Sequence, residues 1–144
     1  METQTPYLEH ANLSVIAPEK TIHLITTAIP TWRVRGKGEM DWFGETIEWY
    51  HVGDDKSYIA IQSGGSGEAD DWKKSWTGVK HIGIAVPDLS ALIERLAAQG
   101  YHPDHFGPPH PHRKNVYFID HHNIQFEFTE YLSAINSEKN DYST

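Results

Sequence analysis

Two histidines and one glutamate in this sequence have the types and the spacing to hold a divalent ion. His10 sits in Leu8-Glu9-His10-Ala11-Asn12-Leu13-Ser14-Val15, and His81 in Val79-Lys80-His81-Ile82-Gly83-Ile84-Ala85-Val86. In both stretches the histidine is third, a large apolar residue follows three later, and a valine closes the run. Glu127 alternates with phenylalanines in Ile124-Gln125-Phe126-Glu127-Phe128-Thr129. A carboxylate in the middle of a strand is costly unless a cation or donor meets it. Imidazole and carboxylate together form an open divalent site, with coordination positions left for water or substrate. The chain has no cysteine, so a disulfide or thiolate site is excluded and any metal is held by His and carboxylate.

Strands must position these three residues. Successive side chains of a strand point to opposite faces. Ile82, Ile84 and Val86 therefore share one face, and His81, Gly83 and Ala85 the other. The first set suits packing under a helix, while the second leaves room in front of the imidazole. By the same parity Ala11, Leu13 and Val15 oppose His10, Asn12 and Ser14, and the phenylalanines of the last strand oppose Gln125, Glu127 and Thr129. If two such strand groups close around a common trough, His10, His81 and Glu127 converge in it.

Each histidine strand runs into a helix. One enters through Pro18, at a first-turn position where a missing N–H costs nothing. The other is capped by Asp88. His10 and His81 are 71 residues apart, about half of the 144-residue chain, so one supersecondary unit occurs twice. The expected plan is an α+β fold of two βαβββ modules forming a shared, partly open barrel-like sheet with a central trough. The first module covers 1–64, with strands at 7–16, 32–40, 46–52 and 57–62 and a helix at 18–28. A Gly/Ser-rich and then Trp-containing linker covers 65–78. The second module covers 79–131, with a helix at 88–99 and strands at 79–86, 101–106, 114–120 and 124–131. A polar tail covers 132–144 and is expected to have little structure of its own.

Composition narrows the partners. Twelve Lys and Arg against 20 Asp and Glu give a net charge of −8, which argues against a nucleic-acid or anionic-membrane partner. No run approaches the roughly 18 apolar residues of a membrane span, and no basic-then-apolar leader opens the chain. A cytoplasmic protein acting on a small molecule is the expectation.

Further residues are candidates around the trough. His110 and His112, in a Pro/His-rich loop, would serve as general acid or base, or else belong to a solvated loop. Arg33 and Arg35 share parity and would meet a substrate carboxylate, or else form a solvated strand face. Glu48 and Tyr50 would line the trough, with Ile47 and Trp49 packed under the helix. His121-His122-Asn123 reads as a turn.

The pattern hydrophobic-x-His-x-x-hydrophobic-x-Val opening each half, with Tyr117-Phe118-x-Asp120-(x6)-Glu127 closing the second, resembles the vicinal oxygen chelate superfamily. That group includes glyoxalase I, extradiol dioxygenases, methylmalonyl-CoA epimerase, fosfomycin-resistance thiol transferases and bleomycin-resistance proteins. The resemblance covers about residues 7–131. It implies one divalent ion (Fe, Mn, Zn, Ni or Co) held by His10, His81 and Glu127, a substrate that chelates it through vicinal oxygens, and a two-fold homodimer that covers the sheet edges and trough walls. Lyase, isomerase and dioxygenase chemistry all remain open. The alternative is a non-catalytic, antibiotic-sequestering protein of the bleomycin-resistance type. The family's fourth ligand aligns with Ala60, which cannot coordinate; Gln62 shares its parity and would reach inward as a substrate-binding residue, roughly 6–7 Å further along the strand. The chain thus resembles the three-ligand members rather than glyoxalase I.

Overall fold

The structure, a computed structural model, describes residues 5–143; the first four residues of the expected first module and the last residue of the tail lie outside them. In chain order the elements are β1 (His10–Ser14), α1 (Pro18–Ala28), β2 (Arg33–Trp42), β3 (Glu45–Gly53), β4 (Tyr58–Gln62), β5 (His81–Ala85), α2 (Leu89–Ala98), β6 (His105–Phe106), β7 (Arg113–Ile119), β8 (Gln125–Tyr131) and α3 (Asn136–Lys139). The repeat appears directly in the topology. One four-stranded sheet has the order β1-β4-β3-β2 and the other β5-β8-β7-β6. In each, the first strand runs parallel to the last and the other pairs are antiparallel. The two sheets are separate and open, so the barrel-like arrangement is not closed.

Helices α1 and α2 lie on the apolar faces of the sheets and against each other. Leu24, Ile25 and Ala28 of α1 join Leu92 and Leu96 of α2, the β4 residues Ile59 and Ile61, and Phe118, Phe126 and Phe128 in one continuous core. All three phenylalanines are at most 1% exposed, so burial of their rings is a main source of stability. The alternation read from the sequence puts Leu13, Ile82, Ile84 and Val86 on this side and leaves His10 and His81 on the exposed faces.

Polar contacts tie the modules together at the helix ends. No side chain of its own segment caps α1; instead the Ala17 N–H donates to Nε2 of His122, 3.0 Å away. Thr21 Oγ1 donates to Asp120 Oδ2 at 2.6 Å and lies 3.0 Å from His122 Nδ1. Asp120 Oδ1 accepts the backbone N–H groups of His122 and Ile124. His122 in the expected turn is therefore a buried clasp. At the other end of α1, which has no basic residue in its last turn, the Arg95 guanidinium donates to the carbonyls of Thr27 and Ala28. It thereby satisfies carbonyls that a helix terminus leaves free. Asp88 caps α2, accepting from the Ala91 N–H at 3.0 Å.

Three expectations about elements change. The strand at 101–106 shrinks to His105–Phe106, since Pro103 has no N–H to offer a ladder. The 65–78 segment folds onto the second module: the Ala69 N–H donates to the His122 carbonyl, and Asn123 donates to that of Ala69. The tail contains α3, and Arg113 holds its end by donating to the carbonyls of Lys139 and Asp141.

Candidate functional site

Strands β5 and β8 run in parallel register, with His81 opposite Gln125 and Gly83 opposite Glu127. This brings His81 Nε2 to 3.0 Å from Glu127 Oε2. The other oxygen, Oε1, accepts from Asn115 Nδ2 at 3.0 Å and from Thr129 Oγ1 at 3.2 Å, so the carboxylate is held by one face of β7 and β8. A Cβ added at Gly83 would lie 3.9 Å from Oε2, so glycine keeps the space in front of the pair free of any larger side chain. Tyr117 stands beside them, its ring meeting His81 edge-on at 5.5 Å. Its burial, then the Glu127 charge and hydrogen bond, raise the phenol's pKa and keep it protonated.

An aromatic row continues from this pair. His105 stacks on Tyr117 at 4.2 Å, and Trp72 of the 65–78 segment stacks on His105 at 4.8 Å. Trp76 follows, its indole N–H donating to the Asp71 carbonyl and its ring 3.7 Å from the Lys80 ammonium. Lys80 also donates to the carbonyls of Trp72 and Lys74, which fixes this segment as a strap across the second module.

His10 does not join them within the chain. Its Nδ1 lies 3.0 Å from Glu9 Oε1, and its ring stacks on Tyr58 at 4.7 Å. His51 stacks on the same tyrosine at 4.4 Å, and the Arg35 guanidinium lies 4.2 Å from its centroid. Burial, then the charges of Arg35 and His10, depress the pKa of His51 below 6.5, against an opposing pull from Glu9. Asn12 donates to Gln62 Oε1 at 3.1 Å, and Ala60 lies between Tyr58 and Gln62 on this face. Among the described residues, no three His, Asp or Glu side chains converge to hold an ion.

The remaining candidates are placed as follows. Glu48 and Tyr50 sit on the helix side of β3: Tyr50 packs against the core, and its hydroxyl donates to Glu48 at 3.0 Å. Trp49 and His51 take the open face instead, the reverse of the expected parity. The reason lies on the neighbouring strand. Gly36 and Gly38 pair with His51 and Trp49, and the Trp49 indole fills the space above them; a Cβ at Gly38 would come within 2.9 Å of it. Arg35 is the extra residue where the β2–β3 ladder shifts, and it donates to the Asp54 carbonyl at 2.7 Å. Arg33 pairs with Asp55 at the surface. His110 and His112 contact the tail rather than His81 or Glu127. His110 Nε2 lies 2.9 Å from the Asp141 carbonyl, and His112 lies 3.5 Å from Glu138.

Sequence reasoning missed Asn115, Thr129, Trp72 and the Tyr58–His51 stack. Thr129 shares parity with Glu127 and was legible on that ground. The others are brought in by strand pairing or by the strap, which local periodicity does not encode.

No protein-family profile matches the chain, and no curated protein does. Solved structures do match. A glyoxylase/bleomycin resistance protein/dioxygenase domain from Frankia sp. EAN1pec superposes with a TM-score of 0.71 at 20% identity, covering 96% of this chain and 100% of that one. A glyoxalase family protein from Bacillus cereus gives 0.71 at 12% identity, covering 92% and 98%. The fosfomycin resistance protein FosX from Listeria monocytogenes gives 0.62 at 18%, covering 94% and 97%. A FosX variant complexed with Mn(II) and dihydroxypropylphosphonic acid gives 0.59 at 18% identity, covering 96% and 99%. The paired βαβββ architecture is thus the fold of these glyoxalase-like and FosX structures, which is the fold the resemblance implied.

Proposed function

We propose that this protein is a divalent-metal-dependent enzyme acting on a small substrate that chelates the ion through adjacent oxygens. His81 and Glu127 supply two of the ligands and His10 the third. The observation carrying this reading is the His81–Glu127 pair. Its 3.0 Å separation is also that of neighbouring ligands around an octahedral ion with bonds of about 2.1 Å. The donor set suits Fe, Mn, Zn, Ni or Co. Such an ion, when bound, acts as a Lewis acid on substrate oxygens. Asn115 and Thr129 orient the carboxylate, Gly83 leaves room for the substrate, and Tyr117 stays protonated beside them.

His10 lies on the other sheet, stacked on Tyr58. On this reading the third ligand comes from a second copy of the chain. In a two-fold dimer the first sheet of each chain faces the second sheet of the other, and both sites form at once. The expected homodimer is thus part of the site.

Metal analysis of protein purified without a tag tests the reading, with one ion per chain expected. His10→Ala, His81→Ala and Glu127→Ala should each lose the ion while keeping the fold. After subunit exchange between the His10→Ala and His81→Ala variants, about a quarter of the sites carry both histidines and should regain metal. No recovery on mixing would place all ligands in one chain, and full occupancy in all three single variants would sink the triad. A screen on α-keto hemithioacetals, catechols and fosfomycin then separates lyase, dioxygenase and resistance chemistry. The alternative, a small-molecule binder without chemistry, draws on the tryptophan-lined cavity beside His81. Tight ligand binding by a protein that holds no metal would favour it.

A further inference from the structure

A cavity of about 270 Å³ lies between the strap and the second sheet. Trp72, Trp76, Leu13, Ile82 and Ile124 form part of its wall, so the lining is largely apolar. His81 and Gln125, partners across the β5–β8 ladder, also line it. The cavity therefore adjoins the ring that contacts Glu127.

Gln125 does not fit a purely structural reading. It is 2% exposed, and among the described residues its Nε2 is a buried side-chain polar atom with no hydrogen-bond partner. Leaving an amide donor buried and unpaired costs free energy that an apolar residue of similar size would avoid. The last torsion of a glutamine side chain is soft, so its amide can turn either end towards the cavity. An acceptor oxygen arriving there would complete the missing hydrogen bond.

We propose that this cavity is the specificity pocket of the His81–Glu127 site, and that it takes a planar apolar group, a single aromatic ring, bearing a carbonyl-type oxygen that accepts from Gln125. Two observations carry the choice. The two tryptophans contribute aromatic surface to the wall, and the unpartnered Gln125 amide calls for an acceptor. A cavity of about 150 Å³ walled by apolar side chains already admits benzene, so this one has room for a ring with a short substituent. What the bound molecule then undergoes rests on the metal-site reading above, whereas its binding does not.

The test is therefore run with excess chelator. Acetophenone and ethylbenzene have nearly the same shape and differ in the oxygen. Both are titrated against tryptophan fluorescence, and the His81 ring signals are followed by NMR. The wild-type protein should bind acetophenone saturably, shift His81, and prefer it over ethylbenzene by about tenfold. Gln125→Leu should fold with unchanged or raised Tm, keep ethylbenzene binding and lose the preference. Trp72→Ala should weaken both ligands by about tenfold. If that variant misfolds, the wild-type preference and Gln125→Leu still decide the matter. No saturable binding, equal binding of the two by the wild type, or a preference surviving in Gln125→Leu would overturn the proposal. Because no metal is present, success here alongside failure of the metal assays separates the pocket from the chemistry.

Discussion

Ala60 occupies in the first module the position that Glu127 occupies in the second. Both lie two residues beyond the partner of the module's histidine: Tyr58 opposite His10, then Ala60; Gln125 opposite His81, then Glu127. The two modules share one ladder, but only one of them carries the carboxylate. The strand register thus puts position 60 on the same face as His10, where a carboxylate would give the proposed metal site a fourth acidic ligand.

Replacing Ala60 with Glu should restore that ligand. We expect metal affinity to rise about tenfold or more, because a charged oxygen replaces a water. Native turnover should fall as an open position is lost. Ala60 pairs with His51 and lies beside the Tyr58 stack, so crowding is the competing outcome. Isothermal titration and thermal melting on the same sample separate them. A variant with normal Tm and unchanged affinity would show that position 60 does not face the ion.

Asn115 should act on the metal through Glu127. Its amide fixes Oε1 at 3.0 Å, and removing such an outer partner typically lowers metal affinity about 10–100-fold. Asn115→Ala is expected in that range with little change in Tm. Loss equal to that of Glu127→Ala would mean instead that the β7–β8 face had collapsed, which circular dichroism would reveal.

The Thr21–Asp120–His122 cluster should be a structural clasp with no part in turnover. His122→Ala leaves the Ala17 N–H, the Thr21 hydroxyl and the Asp120 carboxylate short of a partner in a buried place. A cost of about 2–4 kcal/mol in unfolding free energy is expected from the handful of bonds involved. Urea denaturation measures it. A cost below about 0.5 kcal/mol would show that the network contributes nothing net.

His51 should titrate below the usual imidazole range. Burial is the main cause, followed by Arg35 and His10. A depressed pKa means that the unfolded chain takes up the proton more readily. The folded state is therefore favoured above pH 6.5 and loses that contribution as pH falls through the lower folded pKa. Arg35→Ala should move the midpoint part of the way back, since burial remains. NMR titration of the His51 ring checks both; a midpoint at or above 6.5 in the wild type would contradict the packing described.

Local periodicity alone determined much of this protein. Alternation with a period of two residues put His10, His81 and Glu127 opposite the apolar residues of their own strands, and the 71-residue repeat implied two βαβββ modules. These features are legible because each depends on the order of neighbouring residues. The facing of β3 was decided elsewhere, by Gly36 and Gly38 on the adjacent strand, which make room for Trp49 on the open side. The histidines at 110 and 112 were likewise settled by where α3 docks, and the linker by the anchoring of Lys80 and Trp76. Above all, only tertiary structure decided that His81 meets Glu127 while His10 lies apart on the other sheet. Parity places a side chain on a face, but whether two faces meet depends on how sheets pack in space, which nearest-neighbour sequence order does not encode.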